Sequence, residues 1–71
     1  MSAHSPGYRR FIARLRDARD KTGLTQAEVA RRLRKPQSFV SKIESDERRV
    51  DVVELAELAK LYGKSVTWFL R

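Results

Sequence analysis

The sequence contains no cysteine, which excludes disulfide bridges, thiolate metal sites and cysteine nucleophiles. It has a single histidine, His4, and three isolated glycines, and neither a metal-ligand spacing nor a glycine-rich phosphate-binding loop is present. Its apolar runs are far shorter than the roughly 20 residues that a membrane-spanning helix needs. Residues 1–7 also lack the apolar stretch of a secretion signal. We therefore expect a cytoplasmic protein that is not an enzyme and uses no cofactor, metal or membrane.

The charge of the chain is positive and unevenly distributed. The 71 residues suit one small domain, and their formal net charge is +7. Residues 1–42 carry eleven basic and three acidic side chains, a net charge of +8, whereas residues 43–71 carry five basic and six acidic ones, a net charge of −1. A one-sided basic field favours a polyanionic partner. A basic surface that only confers solubility is the alternative, and charge alone does not separate the two.

The first helix is predicted from Tyr8 onward, where apolar residues begin to recur at helical spacing. The stripe consists of Tyr8, Phe11, Ile12, Leu15 and Ala18. Gly23 follows the stripe and is typical of the residue that ends a helix. We interpret residues 1–7, with Pro6 and Gly7 at their end, as a flexible N-terminal arm. Residues 8–71 then form a single domain.

Two short helices follow. Thr25 and Glu28 have the spacing of a capping box, and this helix is expected to end near Arg34. Proline is tolerated in the first turn of a helix but not in its interior, so Pro36 marks the start of the next one. That helix is expected over about residues 36–45. The core faces of the pair are predicted to be Val29, Ala30, Leu33, Val40 and Ile43.

A fourth and a fifth helix complete the chain. Asp51 and Glu54 form a second capping box, Gly63 ends the fourth helix, and Ser65 caps a last turn over Val66–Leu70. The apolar face of the fourth helix is wide enough to predict a central position for it. Its members are Val52, Leu55, Ala56, Leu58, Ala59, Leu61 and Tyr62. Strand-like alternation is absent, so the predicted class is all-α.

The segment from Thr25 to Glu44 is the informative unit. Two short helices joined by about three residues form a helix-turn-helix, whose second helix enters the DNA major groove. The stretches GLTQAEVA (residues 23–30), PQSFVSKIE (36–44) and SVTWFL (65–70) resemble the XRE family of DNA-binding regulators, which includes the lambdoid phage repressors and Cro. The resemblance extends over residues 8–70. It implies a five-helix lambda-repressor-like domain, found in bacteria or phage.

The resemblance also implies a function. It indicates sequence-specific binding of double-stranded DNA by a transcriptional regulator, most often a repressor, that acts as a homodimer on a palindromic operator. Two residues depart from the family pattern. Arg34 and Asp46 stand where the family usually has glycine. A residue other than glycine with positive φ costs about 1–2 kcal/mol, so the turn at Arg34 is either strained or differently shaped.

The candidate base-reading residues lie at the start of the third helix. Gln37 and Ser38 occupy its N-terminal end, which reaches base edges in this motif, and glutamine can bind an adenine edge in bidentate fashion. Ser41 and Lys42 follow one turn later, and Lys42 suits either guanine or phosphate. Gln26, at the start of the second helix, suits a phosphate, and the resemblance also has it support Gln37. In each case the alternative is a solvent-exposed or capping side chain.

Three further residues complete the predicted DNA-contacting set. Phe39 is a candidate for contact with a thymine methyl group or a sugar, and packing against the turn at Lys35 and Pro36 is an equally good interpretation. Arg48 and Arg49 follow the third helix in a loop that the resemblance makes a backbone-contacting element. Their alternative is a solvated basic pair that offsets nearby carboxylates.

Two predictions concern structure. Arg19 continues the apolar stripe of the first helix, so its charge needs a partner. The resemblance indicates Glu44. The C-terminal segment, with Val66, Trp68, Phe69 and Leu70, is more apolar than a chain end requires. We expect part of it to close the core and part to form a homodimer contact.

The sequence is also compatible with other functions. A small helical interaction module of the antitoxin type would use the fourth helix and the C-terminal segment to bind a protein, and a regulatory partner protein is also compatible with the sequence. Non-specific RNA binding is disfavoured, because the aromatic residues are 8% of the chain and mostly assigned to the core.

Overall fold

The computed structural model describes residues 5–71, and these form helices without any strand. The helices are α1 (Pro6–Thr22), α2 (Gln26–Leu33), α3 (Gln37–Glu44), α4 (Val52–Tyr62) and α5 (Val66–Leu70). This order confirms the all-α class and the five helices expected from the sequence. None of these helices is long and apolar enough to cross a membrane.

Helix α1 begins two residues earlier than predicted. The Ser5 hydroxyl accepts a hydrogen bond from the Tyr8 backbone N–H at 3.2 Å, which makes Ser5 the N-cap. Pro6 and Gly7 are therefore helical, because the ring of a proline pre-sets the first helical φ angle. This shortens the arm predicted over residues 1–7. Its remaining residues 1–4, including His4, lie outside the described part of the chain.

The predicted helix starts of α2 and α4 are confirmed in detail. In α2, the Thr25 hydroxyl accepts from the Glu28 N–H at 3.1 Å, and the Glu28 carboxylate accepts from the Thr25 N–H at 2.8 Å. Asp51 and Glu54 repeat this reciprocal pair at the start of α4. Such a box satisfies two N–H groups that a helix leaves without internal partners. Both helices therefore begin where their sequence specifies.

Two turns use left-handed backbone without glycine. Arg34, which ends α2, has a φ of 58°, and Asp46, after α3, has a φ of 67°. Both residues thus adopt the left-handed conformation that glycine favours, and the turn at Arg34 is strained. Aspartate is among the residues that tolerate this conformation, whereas arginine has no local compensation for it.

The core lies between α1 and the other helices. Helix α1 packs against α3, α4 and α5, while α2 packs mainly against α3. The predicted stripe of α1 is buried, apart from Tyr8, which is partly exposed. The buried apolar residues are Phe11, Ile12, Leu15, Ala18, Val29, Ala30, Phe39, Val40, Ile43, Leu55, Leu58, Ala59, Tyr62 and Phe69.

The prediction of a central, broadly buried α4 is wrong. The apolar residues buried on it follow one helical stripe: Leu55, Leu58, Ala59 and Tyr62. Val52 is 81% exposed, and Ala56 is also exposed. The helix packs against α1 and α5, and Leu61 is half-buried against the core. Helix α1, which contacts three helices, takes the central position instead.

Candidate nucleic-acid interface

The α2–α3 unit has the geometry of a helix-turn-helix. A turn of residues 34–36 separates the two helices, and the Lys35 N–H donates to the Ala30 carbonyl at 2.9 Å to close it. Val29 and Ala30 of α2 are buried, as are Val40 and Ile43 of α3. The small Ala30 allows the two helices to cross closely. Burial of this side of α3 leaves its opposite side facing outward.

The outward side of α3 carries the predicted base-reading residues. Gln37, Ser38 and Lys42 are exposed, and Ser41 is half-buried with its hydroxyl donating to the Ser38 carbonyl at 3.4 Å. The structure thus brings all four onto one helix face. Pro36 is the N-cap and provides no capping side chain. Their contact with DNA remains a prediction.

Phe39 is the clear correction in the predicted set. Its side chain is 7% exposed and belongs to the core. The Lys35 ammonium lies 5.2 Å from the ring centroid and the Arg48 guanidinium carbon 4.8 Å from it. The ring is therefore enclosed, and the alternative of packing beside the turn is the one observed. Helical spacing contained the signal, because Phe39 lies one turn before the buried Ile43.

The predicted pairing of Arg19 with Glu44 is present. Arg19 Nε donates to Glu44 Oε2 at 2.7 Å and Nη2 to Oε1 at 3.0 Å. The Glu44 side chain is 2% exposed and that of Arg19 14%. Arg19 Nη1 also donates to the Leu24 carbonyl at 3.0 Å, and its hydrogen bond with Glu44 raises the pKa of Arg19. The ion pair links the C-terminal end of α3 to α1.

Gln26 takes part in the same network. Its Nε2 donates to Glu44 Oε1 at 2.9 Å. The amide N–H of Gln26 thus binds at the opposite end of α3 from Gln37, whose expected support by Gln26 stays a prediction. The carboxylate of Glu44 thus joins three helices. Gln26 remains half-buried at the first position of α2, where a helix N-terminus favours an anion.

Arg48 has a partner that the sequence did not indicate. Its Nη1 and Nη2 donate to the two carboxylate oxygens of Glu54 at 2.8 and 2.9 Å. Glu54 lies in the next helix and was predicted to act only in the α4 capping box, so the sequence pattern did not indicate this pair. Arg48 lowers the pKa of Glu54, and the Asp51 backbone hydrogen bond adds to this effect.

Arg49 differs from its neighbour. Its side chain is exposed, and its guanidinium carbon lies 4.5 Å from the ring centroid of Tyr8. The Tyr8 hydroxyl in turn accepts from the Val50 N–H at 3.2 Å. These contacts hold the loop after α3 against the start of α1. Arg49 therefore keeps the exposure that a phosphate contact requires, whereas the charge of Arg48 is compensated.

A shallow polar hollow lies beside the outward face of α3. It is lined by Lys35, Pro36, Ser38, Phe39, Lys42, Glu47 and Arg48. Lys35 and Lys42 are exposed there, which makes this flank of α3 cationic. Within residues 5–71 we find no group of three or more histidine, aspartate or glutamate side chains that could hold a metal ion.

Comparison with known proteins decides the family. A model of the Helix-turn-helix family matches residues 15–69, which is most of the chain. The solved structure of an XRE-family like protein from Pseudomonas syringae pv. tomato str. DC3000 is 43% identical, covers 89% of this chain and 77% of its own, and superposes with a TM-score of 0.82. The chain belongs to the XRE family. None of the curated proteins matches it.

Membership in the XRE family agrees with the site described above. The family is one of helix-turn-helix DNA-binding proteins that regulate transcription, and the five helices form its lambda-repressor-like fold. In this XRE-family chain the matched region contains α2, the turn, α3 and α4 in full. The double-stranded DNA that the family binds is thus the polyanion suggested by the basic charge.

Proposed function

We propose that this protein is a transcriptional repressor that binds a palindromic operator as a homodimer, with α3 in the major groove. The observation that carries the proposal is the outward face of α3, where Gln37, Ser38 and Lys42 are exposed together. The same helix is fastened at its other end by Glu44, which binds both α1 and α2. A rigid support of this kind favours specific readout, because the side chains are already oriented before DNA arrives.

The residues have separable roles in this proposal. Gln37 binds an adenine edge, and Lys42 binds guanine or the adjacent phosphate. Ser38 and Ser41 contribute shorter-range hydrogen bonds from the same face. Gln26 and Arg49 contact the DNA backbone, which fixes the register of the protein without reading sequence.

The dimer contact is proposed to involve the C-terminal segment. Phe69 is 1% exposed and completes the core, but Leu70 is 62% exposed and Val66 38%. Leu70 lines an apolar groove together with Tyr8, Phe11, Val52 and Leu55. A second copy seated here would remove Leu70 and Val52 from water. Two copies would then present two α3 helices to successive major grooves, about 34 Å apart.

Selection of binding sites from random double-stranded DNA, at about physiological salt, tests the function. We expect an inverted repeat whose half-sites are spaced by about one helical turn. Gln37→Ala and Lys42→Ala should each weaken binding to that site by about 1–3 kcal/mol. Lys60→Ala is the matched control, because Lys60 is an exposed lysine of α4 outside the helix-turn-helix.

A different result of the selection would contradict the proposed function. Weak binding that falls steeply with salt and yields no motif would mean that the basic surface is a general polyanion surface. The protein-interaction module would then be the better account. In that case Gln37→Ala would leave binding to DNA unchanged.

A further inference from the structure

Arg48 is the cation whose placement the proposed function does not explain. It lines the hollow beside α3 together with Lys35, Ser38 and Lys42, so it stands next to the surface proposed to face DNA. Its guanidinium nevertheless donates three hydrogen bonds within the protein. Two nitrogens bind the Glu54 carboxylate, and one of them also donates to the Arg49 carbonyl at 2.9 Å.

The Glu54 carboxylate is itself held in place. Its Oε1 accepts from the Asp51 N–H at 3.1 Å as part of the α4 capping box, and its side chain is 11% exposed. The carboxylate therefore has little freedom to follow the arginine outward. The aromatic ring of Phe39 lies against the guanidinium, 4.8 Å from its carbon. Arg48 is thus fixed between a ring and a carboxylate, although its side chain is 40% exposed.

Bidentate pairing with a carboxylate uses the donor geometry that arginine would otherwise present to a phosphate. An arginine released on this flank of α3 would add a phosphate contact. Such a contact strengthens binding to every sequence alike and makes binding more dependent on salt. Withholding that contact lowers the affinity for non-cognate DNA and leaves the base-reading face of α3 to select the sequence.

We propose that Glu54 withholds Arg48 from the DNA backbone and so keeps the affinity for non-cognate DNA low. The proposal rests on the DNA-binding function proposed above. Glu54 acts through Arg48 and does not touch DNA itself. It is therefore a positioning residue, whose removal increases binding to non-cognate DNA.

Glu54→Gln is the primary variant. Glutamine keeps the shape and the oxygen that accepts from the Asp51 N–H, but it removes the charge that holds Arg48. Binding to a non-cognate duplex is measured by fluorescence anisotropy over a series of salt concentrations. We expect affinity to rise about three- to tenfold at low salt, and the slope of log K against log salt to steepen by about 0.9, as for one additional phosphate contact.

The double variant Arg48→Met, Glu54→Gln is the matched control. It removes both charges and leaves the local volume similar, so non-cognate affinity and salt slope should return to the wild-type values. Circular dichroism and thermal unfolding of each variant establish that the fold is kept. A merely structural role for Glu54 predicts the opposite result, since loosening the loop would weaken binding and the second substitution would not restore it.

The outcomes separate the two proposals. If the wild-type protein selects an operator but Glu54→Gln leaves the non-cognate salt slope unchanged, the role of Glu54 is overturned and the proposed function stands. If Glu54→Gln does not fold, the double variant is compared with the wild type on its own. A slope of log K against log salt that is shallower than that of the wild type by about 0.9 would mean that Arg48 already contacts phosphate, which would overturn the role of Glu54. Absence of any wild-type binding to DNA would overturn both proposals.

Discussion

At the scale of single residues, Glu44 has the largest structural role that the contacts reveal. Its buried carboxylate accepts hydrogen bonds from Arg19 of α1 and Gln26 of α2. A buried charge without such partners would be costly, because the protein interior solvates it poorly. The position of α3 relative to the other two helices therefore depends on this one side chain.

Removal of Arg19 should be severely destabilising. Arg19→Met leaves the Glu44 carboxylate buried without its main cation, which costs about 3–5 kcal/mol. This is as large as the net stability of a domain of this size, about 3–5 kcal/mol. We expect the variant to be largely unfolded at 25 °C, as measured by urea denaturation followed by circular dichroism.

Two controls distinguish the charge effect from lost packing. The double variant Arg19→Met, Glu44→Met removes both charges and should recover most of the lost stability, because a well-packed apolar pair can replace a buried ion pair. Arg16→Ala should cost less than about 1 kcal/mol, since Arg16 is 59% exposed and 3.9 Å from Glu44. Equal losses for Arg16→Ala and Arg19→Met would contradict this account.

At the scale of the elements, the ends of the helices determine the local shape of the interface. Four helices are capped by side chains of Ser5, Thr25, Asp51 and Ser65. Helix α3 is the exception, because its N-cap is Pro36. Its position is instead determined by the turn before it, where the left-handed Arg34 directs the chain from α2 into α3.

Arg34→Gly should stabilise the protein. Arginine at a φ of 58° bears a strain of about 1–2 kcal/mol that glycine does not. Glycine loses more backbone entropy on folding, which offsets about 0.5–1 kcal/mol of this gain. The expected net gain is about 0.5–1 kcal/mol, visible as a higher midpoint in urea denaturation.

Gly23→Ala is the matched reverse substitution. Gly23 also ends a helix in left-handed backbone, with a φ of 78°, and an added Cβ would meet no atom within 4 Å. A loss of stability in Gly23→Ala would therefore come from backbone strain and not from a steric clash. Gly23→Ala should therefore destabilise the protein by about 1 kcal/mol.

A loss of stability in Arg34→Gly would contradict the expected gain. It would show that the contacts of the Arg34 side chain stabilise the protein by more than its backbone strain destabilises it.

At the scale of the whole molecule, two surfaces matter for the proposed function. The cationic flank of α3 and the turn before it form one surface, and the groove that contains Val52 and Leu70 forms the other. The proposed operator-binding dimer would use one surface for DNA and the other for its second copy. The exposure of Leu70, 62%, means that it is available for such a contact.

Leu70→Glu should weaken the homodimer without unfolding the monomer. Because Leu70 is mostly exposed, the substitution disturbs little of the core, but it places a charge in an apolar contact. We expect sedimentation equilibrium to show a shift towards monomer, together with a larger loss of affinity for a palindromic site than for an isolated half-site.

Val53→Glu is the control for this effect. Val53 is 65% exposed and does not line the groove with Leu70. It should leave the association unchanged. A wild-type protein that remains monomeric at micromolar concentration would refute the dimer contact, as would an equal effect of the two substitutions.

Local rules account for the parts of the fold that were predicted correctly. Capping boxes at Thr25 and Asp51, the glycine after α1 and the stripe from Phe11 to Ala18 depend on residues within a few positions of each other. Their geometry is therefore determined by neighbouring sequence. The same is true of the outward face of α3, because burial of Val40 and Ile43 leaves Gln37, Ser38 and Lys42 on the other side.

Contacts between elements decided the rest. Periodicity alone did not show that Val52 would be exposed, because its burial depends on whether another helix covers the first turn of α4. The partner of Arg48 was likewise not predicted, because Glu54 belongs to the next helix. The sequence pattern assigned Glu54 only to the capping box of α4. The pattern within a helix determines which residues share a face. Only packing of the helices determines which faces are covered and which charges are neutralised.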